Sequence, residues 1–340
     1  MNTDLPTFAD VAAAAARMRG RLVETPVLES ETLNRLAGTR VLLKAECLQH
    51  SGSFKIRGAL NRLLQLTDAE RRGGVVAFSS GNHAQAVALA AHWLQVSATI
   101  VMPSDAPAVK IAGTRAWGAE VVLYDRDRDD REKIATGLAA ERGAVLVPPF
   151  EDARVVAGQG TAALELGREA QARGVTLDAL YVPCSGGGLV AGSALAIKSS
   201  FPHCAVYAVE PQGFDDHVRS LAAGRRVPGA GGHTTLCDGL RAPLPGEITF
   251  AINRRELKGA VTVDDAAVRA AMAVAVQHLK IVVEPSGAAA LAAVLASPSR
   301  DNPCVGVILS GGNVDPPLLA DVLRGNSTEI RRTGAARNGP

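Results

Sequence analysis

The sequence predicts an α/β fold with two lobes, parallel-rich twisted sheets and helices on both faces. Short runs of β-branched and apolar residues alternate with helix-like segments along most of the chain, and this alternation is typical of parallel sheets. Three Ser-Gly loops each follow a strand-like run directly, as in strand-loop-helix units. A length of 340 residues is enough for two domains or one large domain.

The first half of the chain alternates regularly. Thr7-Phe8-Ala9-Asp10 fits a capping box at the start of an amphipathic helix. We expect helices at 8–23, 59–66, 82–94, 108–117 and 127–142. We expect strands at 41–46, 75–78, 98–102, 120–124 and 144–147.

The second half continues the pattern, with a loop rich in Gly, Pro and Thr at 224–245. Helices are expected at 155–173, 188–199, 284–295 and 316–323, and Val261-Thr262-Val263 followed by Asp264-Asp265 is expected to open a helix that ends at Leu279. Strands are expected at 179–182, 205–210 and 305–309. We expect a large lobe of residues 1–72 and 152–323 and a small mobile lobe of residues 73–151. The polar residues 324–340 are expected to be a disordered tail.

Composition excludes several classes of protein. The net charge is +2 and no basic stripe carries interleaved aromatics, which argues against a nucleic-acid binder. No secretory signal and no membrane-spanning apolar run is visible. The five cysteines form no C-x-x-C pair, so neither a zinc site nor a disulfide framework is indicated, and a reducing cytoplasmic compartment is expected.

Lys55 is the candidate catalytic residue. It stands between Phe54 and Ile56, and apolar surroundings lower the pKa of an ammonium group and leave an amine that can form Schiff bases. A lysine near a helix start is more often a surface residue. The three Ser-Gly loops favour the catalytic interpretation.

Each loop is a candidate binding site for an anion or a ring. Ser79-Ser80-Gly81-Asn82-His83 offers a helix N-terminus to a carboxylate, although an ordinary N-cap explains it equally well. Ser185-Gly186-Gly187-Gly188-Leu189 lets the backbone wrap a phosphate. Ser310-Gly311-Gly312-Asn313 places a hydroxyl at a strand end. Such a segment is a simple turn as often as a site.

A dinucleotide fingerprint is the main alternative. Gly186 to Ala191 matches G-x-G-x-x-A, and Glu210 ends the following strand, which together indicate a nicotinamide-dependent oxidoreductase. A second match at Gly158 to Ala163 lacks a preceding strand. This interpretation leaves Lys55 and the other two loops without a role, so it ranks second.

The motifs together resemble the fold-type-II pyridoxal phosphate enzymes (the tryptophan synthase β-like fold), and within them the serine/threonine dehydratase and serine racemase group. The resemblance lies in Ser53-Phe54-Lys55-Ile56-Arg57-Gly58-Ala59, the three Ser-Gly loops and Glu284-Pro285-Ser286-Gly287-Ala288. It implies that Lys55 holds pyridoxal 5'-phosphate covalently, with Phe54 against the ring. It further implies phosphate contacts from Ser185, Gly186, Gly187, Gly188 and Leu189.

The resemblance also implies the remaining contacts of the cofactor and the substrate. Asn82 would meet the ring hydroxyl and Ser310 the ring nitrogen. The substrate carboxylate would lie against Ser79, Ser80, Gly81, Asn82 and His83. The implied protein is a homodimer.

The reaction implied is elimination from a small 3-hydroxy amino acid. Lys55 would take the α-proton, and loss of the hydroxyl would give an aminoacrylate that hydrolyses to a 2-oxo acid and ammonia. L-Threonine and L-serine are the first expectation. L-threo-3-hydroxyaspartate dehydratase and serine racemase are same-class alternatives, and a ligand-binding protein with an unreactive Lys55 is a further one.

Two features favour the racemase side of this group. Ser80 matches the residue that faces the lysine across the ring in serine racemases. Glu210, Phe214 and Asp216 resemble that group's divalent-cation site, an all-oxygen set suited to Mg²⁺ or Ca²⁺, although acidic residues at a helix start explain them almost as well.

Three departures from the racemase pattern count against racemase activity. Two are Trp117, where the racemases tend to have tyrosine, and Leu240-Arg241 after Asp238-Gly239, and the third is Arg131. Arg131 could reach a second substrate carboxylate, although a solvated helix face is the more ordinary interpretation.

Overall fold

The computed structural model describes residues 5–106, 108–296 and 303–334. Its strands form two sheets. In chain order they are β1 (Val27–Leu28), β2 (Arg40–Ala45), β3 (Val75–Phe78), β4 (Ala98–Pro103), β5 (Glu120–Tyr124), β6 (Val145–Leu146), β7 (Ala179–Pro183), β8 (Ala205–Pro211), β9 (Gly259–Val263) and β10 (Cys304–Leu309).

Helices separate most of these strands. They are α1 (Phe8–Met18), α2 (Glu31–Ala37), α3 (Lys55–Leu63), α4 (Asp68–Gly73), α5 (Asn82–Leu94), α6 (Ala108–Ala116), α7 (Arg131–Arg142), α8 (Ala153–Ala172), α9 (Gly188–Ser200), α10 (Asp216–Ala223), α11 (Glu247–Glu256), α12 (Asp265–Val274), α13 (Pro285–Ala296) and α14 (Pro316–Gly334). A π-helical turn, Ala275–Leu279, continues α12.

The sheet order confirms the predicted α/β class. The larger sheet has the order β1-β2-β10-β7-β8-β9 and the smaller one β5-β4-β3-β6. Every pairing is parallel except β1 with β2. Because parallel strands end at the same edge of a sheet, the loops after β3, β7 and β10 lie where ligands bind in such folds.

Alanine and glycine allow the helices to pack closely. A Cβ atom on Gly160 of α8 would lie 2.5 Å from the carbonyl oxygen of Gly192 on α9, so the two backbones are nearly in contact. The β-branched strands and these small helical residues form the core. No helix in the described part of the chain has the length and apolarity to cross a bilayer.

Several boundaries differ from the prediction. Helix α1 ends at Met18, not at residue 23, and α2, α4, α10, α11 and the strands β1 and β9 were not predicted. The last helix was expected to end at residue 323 but continues to residue 334, so the predicted disordered tail overlaps it over residues 324–334. Residues 335–340 lie outside the described part.

Candidate active site

A cavity of about 310 Å³ lies between the loops of the two sheets. Segments after β3 and β6 line it from the smaller sheet, and segments after β7 and β10 from the larger one. Every residue predicted to contact cofactor or substrate lines this cavity. They are Phe54, Lys55, Ser79, Ser80, Gly81, Asn82, His83, Ser185, Gly186, Gly187, Gly188, Leu189 and Ser310.

Lys55 is the first residue of α3, and its amine faces the cavity without an acidic partner among the described residues. Its Nζ donates to the carbonyl oxygen of Pro149 at 3.1 Å and lies 5.0 Å from the centre of the Phe54 ring. Burial lowers the pKa of Lys55 to about 8. A usable fraction of neutral amine is therefore present near neutral pH.

The Lys55 segment is tied to the loop after β10. Phe54 donates its backbone amide to the carbonyl of Ser310 at 3.1 Å, and Gly312 donates to Gly52 at 2.9 Å. Gly52 has φ +71°, and a Cβ atom there would lie 2.3 Å from Asn313 Oδ1. These contacts fix Lys55 relative to the Ser310 hydroxyl.

The glycine loop before α9 is a cradle that side chains would fill. A Cβ atom on Gly186 would lie 2.3 Å from the Phe150 ring, and one on Gly187 (φ +95°) would lie 2.6 Å from Asn253 Nδ2. In the described part of the chain, no protein acceptor takes the backbone N–H groups of residues 185–188. Free amides at a helix N-terminus are the donor set that a phosphate needs.

The residues predicted to face the ring also suit the cofactor. Ser310 is 4% exposed, and its hydroxyl has no protein partner among the described residues. Asn82 Nδ2 donates to Glu284 Oε1 at 2.6 Å, and Asn82 Oδ1 accepts from Asn313 Nδ2 at 2.8 Å. One hydrogen of the Asn82 amide remains available to a ring oxygen.

The start of α5 suits a substrate carboxylate. Ser79 Oγ accepts from the amide of Gly81 at 3.1 Å and shapes the turn into the helix. His83 Nε2 donates to the carbonyl of Val147 at 2.9 Å, and burial with the nearby Lys55 lowers the His83 pKa to about 3, so its ring is neutral. The neutral ring has already given its one N–H to Val147, so it has no hydrogen to donate to a carboxylate. The backbone N–H groups in the first turn of α5 are the better donors.

The cavity also contains charged residues for which the sequence indicated no role. Lys110 of α6 and Asp238, before α11, form an ion pair of 2.9 Å across the cavity. Glu284 begins a motif recognised in the sequence, and burial raises its pKa to about 7. Of these three residues, only Glu284 could be associated with the site from the sequence, through its motif. Lys110 and Asp238 come together through the tertiary fold.

Cationic side chains line one part of the cavity. Arg126, Arg131 and Arg241 all contribute. Arg126 pairs with Asp105 at 2.7 Å, whereas the guanidinium of Arg131 lies 5.6 Å from the Phe78 ring centre. No carboxylate among the described residues pairs with Arg131.

The predicted cation ligands lie outside this cavity. Glu210 is in β8 and Asp216 starts α10; both are buried. The two Glu210 oxygens accept from the amides of His217 and Val218 at 2.9 and 3.0 Å, as the helix-start explanation requires. Both Asp216 oxygens lack a hydrogen-bond partner. A thiol and an imidazole, from Cys184 and His217, lie beside Glu210, so its surroundings are not purely oxygen.

The comparisons of this chain with known proteins agree on one enzyme family. The family model described as "Pyridoxal-phosphate dependent enzyme" matches residues 19–311. An L-threo-3-hydroxyaspartate ammonia-lyase of Pseudomonas sp is 46% identical over 94% of this chain and 99% of that protein. A serine racemase of Schizosaccharomyces pombe is 44% identical over 95% of this chain and 98% of that protein.

A solved structure agrees with the fold. The serine racemase of Dictyostelium discoideum is 39% identical, with a TM-score of 0.85 over 91% of this chain and 99% of that chain. The dinucleotide interpretation therefore loses its support, because the family that matches binds pyridoxal phosphate. This chain belongs to the pyridoxal-phosphate dependent enzyme family, in its fold-type-II branch.

Proposed function

We propose that this enzyme is an ammonia-lyase for small 3-hydroxy amino acids and that it prefers L-threo-3-hydroxyaspartate to L-serine and L-threonine. The observation that carries the preference is Arg131, which lines the same cavity as Lys55 and has no acidic partner among the described residues. A planar guanidinium binds a carboxylate with two parallel hydrogen bonds. The proposal reverses the order expected from sequence, where L-threonine and L-serine came first.

The residues divide the chemical work. Pyridoxal phosphate, when bound to Lys55 and the glycine loop, supplies an electron sink for the pair left by the α-proton. The Lys55 amine is the base that takes this proton, and its pKa of about 8 suits that task. The amides at the start of α5 hold the α-carboxylate, and Arg131 holds the carboxylate on the β-carbon.

Ser310 supports elimination. Its neutral hydroxyl would be the hydrogen-bond partner of the cofactor's ring nitrogen, and a neutral partner leaves that nitrogen largely unprotonated. Electron withdrawal by the ring is then weaker, so prompt loss of the β-hydroxyl competes well with reprotonation at the α-carbon.

Serine racemisation is the second candidate function. Ser80 favours it, because it lines the cavity together with Lys55 and could carry a proton on the opposite face of the ring. Elimination and racemisation share the first proton transfer, so both activities are compatible with one site.

The proposal includes the wider organisation of the enzyme. Residues 73–151, which contain the smaller sheet, would move as a lobe to close the cavity, and the Lys110–Asp238 ion pair supports this because it spans the two lobes. We further propose a cytoplasmic homodimer that binds a divalent cation through Glu210 and Asp216. The five free cysteines support a reducing compartment.

The test compares 2-oxo acid release from L-threo-3-hydroxyaspartate, L-serine and L-threonine by the holoenzyme, with Arg131→Met as the variant. Loss of one charge-assisted interaction of about 1.5–3 kcal/mol should lower kcat/KM for hydroxyaspartate about 10- to 150-fold. Turnover of L-serine should change less than about threefold, since it lacks the second carboxylate.

Arg128→Met is the matched control, because the Arg128 side chain is 84% exposed and lies three residues before Arg131. It should leave all three substrates unchanged. Faster wild-type turnover of L-threonine than of hydroxyaspartate, or an equal loss for all substrates in Arg131→Met, would overturn the preference.

A further inference from the structure

The Glu284 carboxylate lies where the start of α5 meets the loop after β10. We propose that Glu284 is a positioning residue: it holds Asn82 as a hydrogen-bond donor toward the ring oxygen of pyridoxal phosphate, and its charge controls how readily that oxygen stays ionised. This inference rests on the cofactor placement that the family resemblance implies. It does not depend on which amino acid the enzyme prefers.

Glu284 is held in place by its backbone and by its side chain. Its backbone amide donates to the carbonyl of Gly311 at 3.0 Å, and its own carbonyl accepts from the amide of Ala288 at 3.0 Å. Its carboxylate accepts from Asn82 Nδ2 at 2.6 Å, which is short for an amide donor. Glu284 is 3% exposed, so this hydrogen bond is shielded from bulk water.

Helix capping does not explain the Glu284 carboxylate. The residue directly precedes α13, and an acidic side chain at that position usually accepts from the amides of the first helical turn. In the described part of the chain, no amide of that turn donates to the Glu284 carboxylate, which binds Asn82 on α5 instead. The side chain therefore serves the cavity and not its own helix.

Gly311 makes room for this contact. A Cβ atom on Gly311 would lie 2.0 Å from Glu284 Oε1 and 3.2 Å from Asn82 Nδ2. A side chain there would therefore separate the acceptor from its donor. The first glycine of the third Ser-Gly loop thus has a role that a simple turn would not require.

The Asn82 amide links the Glu284 carboxylate to the cofactor. Asn82 Oδ1 already accepts from Asn313 Nδ2, and one hydrogen of Asn82 Nδ2 goes to Glu284. The other hydrogen is available to the ring oxygen. An ionised Glu284 is then one side-chain amide away from this oxygen, and its charge opposes a second negative charge there. A neutral Glu284 removes that opposition.

Two charged side chains adjust the ionisation of Glu284. Burial and the nearby charge of Asp238 raise the pKa of Glu284 to about 7, whereas the hydrogen bond from Asn82 and the charge of Lys110 act in the opposite direction. Glu284 is therefore ionised above about pH 7 and neutral below it.

The other titratable groups near Glu284 are neutral or act indirectly. Burial raises the pKa values of the Cys47 and Cys237 thiols to about 12, so both are neutral. The His83 ring is neutral as well, since burial lowers its pKa to about 3. Asp315 acts on Lys110, and in the holoenzyme the Lys55 amine would be bonded to the cofactor.

The first test reads the absorption spectrum of the holoenzyme without substrate. Bound pyridoxal phosphate absorbs at longer wavelength when its ring oxygen is ionised than when that oxygen is protonated. In the wild type, the long-wavelength band should grow as the pH falls through about 7, because Glu284 becomes neutral. Glu284→Gln should lose this titration, since glutamine still accepts from Asn82 but carries no charge. Any titration of the Lys55 linkage itself remains in Glu284→Gln and is subtracted.

Charge variants of the neighbours test the same titration. Asp238→Asn should move its midpoint to lower pH and Lys110→Met to higher pH, because the two variants remove opposite charges. Arg128→Met is the matched control, since the Arg128 side chain is 84% exposed, and it should leave the midpoint unchanged. A midpoint that persists in Glu284→Gln, or shifts of the same sign in Asp238→Asn and Lys110→Met, would overturn the proposal.

The second test measures cofactor affinity and separates positioning from folding. Glu284→Ala removes the acceptor of Asn82 and should weaken binding of pyridoxal phosphate to the apoprotein about 10- to 100-fold, and Glu284→Gln should restore most of it. An analogue without the ring hydroxyl offers no oxygen to Asn82, so its loss in Glu284→Ala should stay below about threefold.

Equal losses for pyridoxal phosphate and the analogue would make Glu284 a structural support and overturn the proposal. If Glu284→Ala does not fold, the spectra of Glu284→Gln and the charge variants decide alone. Neither test uses turnover, so failure here and failure of the proposed substrate preference are distinguishable.

Discussion

Replacing Gly187 by alanine tests whether the phosphate cradle requires glycine. Gly187 has φ +95°, and the new Cβ atom would lie 2.6 Å from Asn253 Nδ2 and 2.7 Å from His217 Nε2. A left-handed backbone costs an L-residue about 1–2 kcal/mol, and overpacking in a buried site adds about 1–3 kcal/mol. We expect the free energy of unfolding of the apoprotein to fall by about 2–5 kcal/mol.

Gly143→Ala separates the two contributions. Gly143 has φ +61°, and nothing lies within 4 Å of the position that a Cβ atom would take there. Its substitution should therefore cost only the backbone contribution of about 1–2 kcal/mol. Urea unfolding of both variants, followed by circular dichroism, measures the difference. Equal losses of stability would refute the argument that the surroundings of Gly187 exclude a side chain.

The remaining predictions concern the base, the second face of the ring and the lobes. Lys55→Ala should abolish turnover and leave the circular dichroism spectrum unchanged; full activity would refute the assignment. Because burial lowers the pKa of Lys55 to about 8, covalent cofactor uptake by the apoprotein should rise about tenfold per pH unit below 8 and level off above it. A plateau reached only near 10.5, the ordinary lysine value, would contradict this. Ser80→Ala should abolish action on D-serine and spare elimination from L-serine, and a joint loss would make Ser80 a general loop residue. Lys110→Met breaks the ion pair with Asp238, which is worth about 0.5–1 kcal/mol, and should raise KM about two- to fivefold if that pair stabilises the closed lobes. An unchanged KM would show that the ion pair does not contribute to lobe closure.

Elements with a strong local pattern were predictable. The strands at 75–78 and 120–124 and the helix at 82–94 were predicted with the observed bounds. Helices α2 and α4 have only seven and six residues, so capping decides them more than periodicity does. The amide of Leu33 donates to the cap residue Ser30, and Gly38 ends α2 with φ +68°. These signals are short and easily taken for turns.

The site was predictable where its chemistry is local in sequence. Each Ser-Gly loop contains its own donors, so each was a candidate binding site before any fold was known, and the family resemblance implied its role. Arg131 is different, because a charged helix start looks like a solvated face until the fold brings it to the cavity. The same limit applies to Lys110 and Asp238, which are far apart in the sequence and form their ion pair only in the folded protein.

Asn82 shows how distant residues settle a question that a motif leaves open. An asparagine can donate to or accept from a ring oxygen, and the sequence does not choose. Asn313 lies 231 residues away; its Nδ2 donates to the carbonyl of Ser51 at 2.8 Å and also to Asn82 Oδ1. Rotating the Asn82 amide by half a turn would set two NH₂ groups against each other. The orientation is therefore fixed, with Asn82 Nδ2 toward Glu284, 202 residues away. One donor hydrogen of Nδ2 then remains for the cofactor, so Asn82 would stabilise a ring oxygen that carries negative charge.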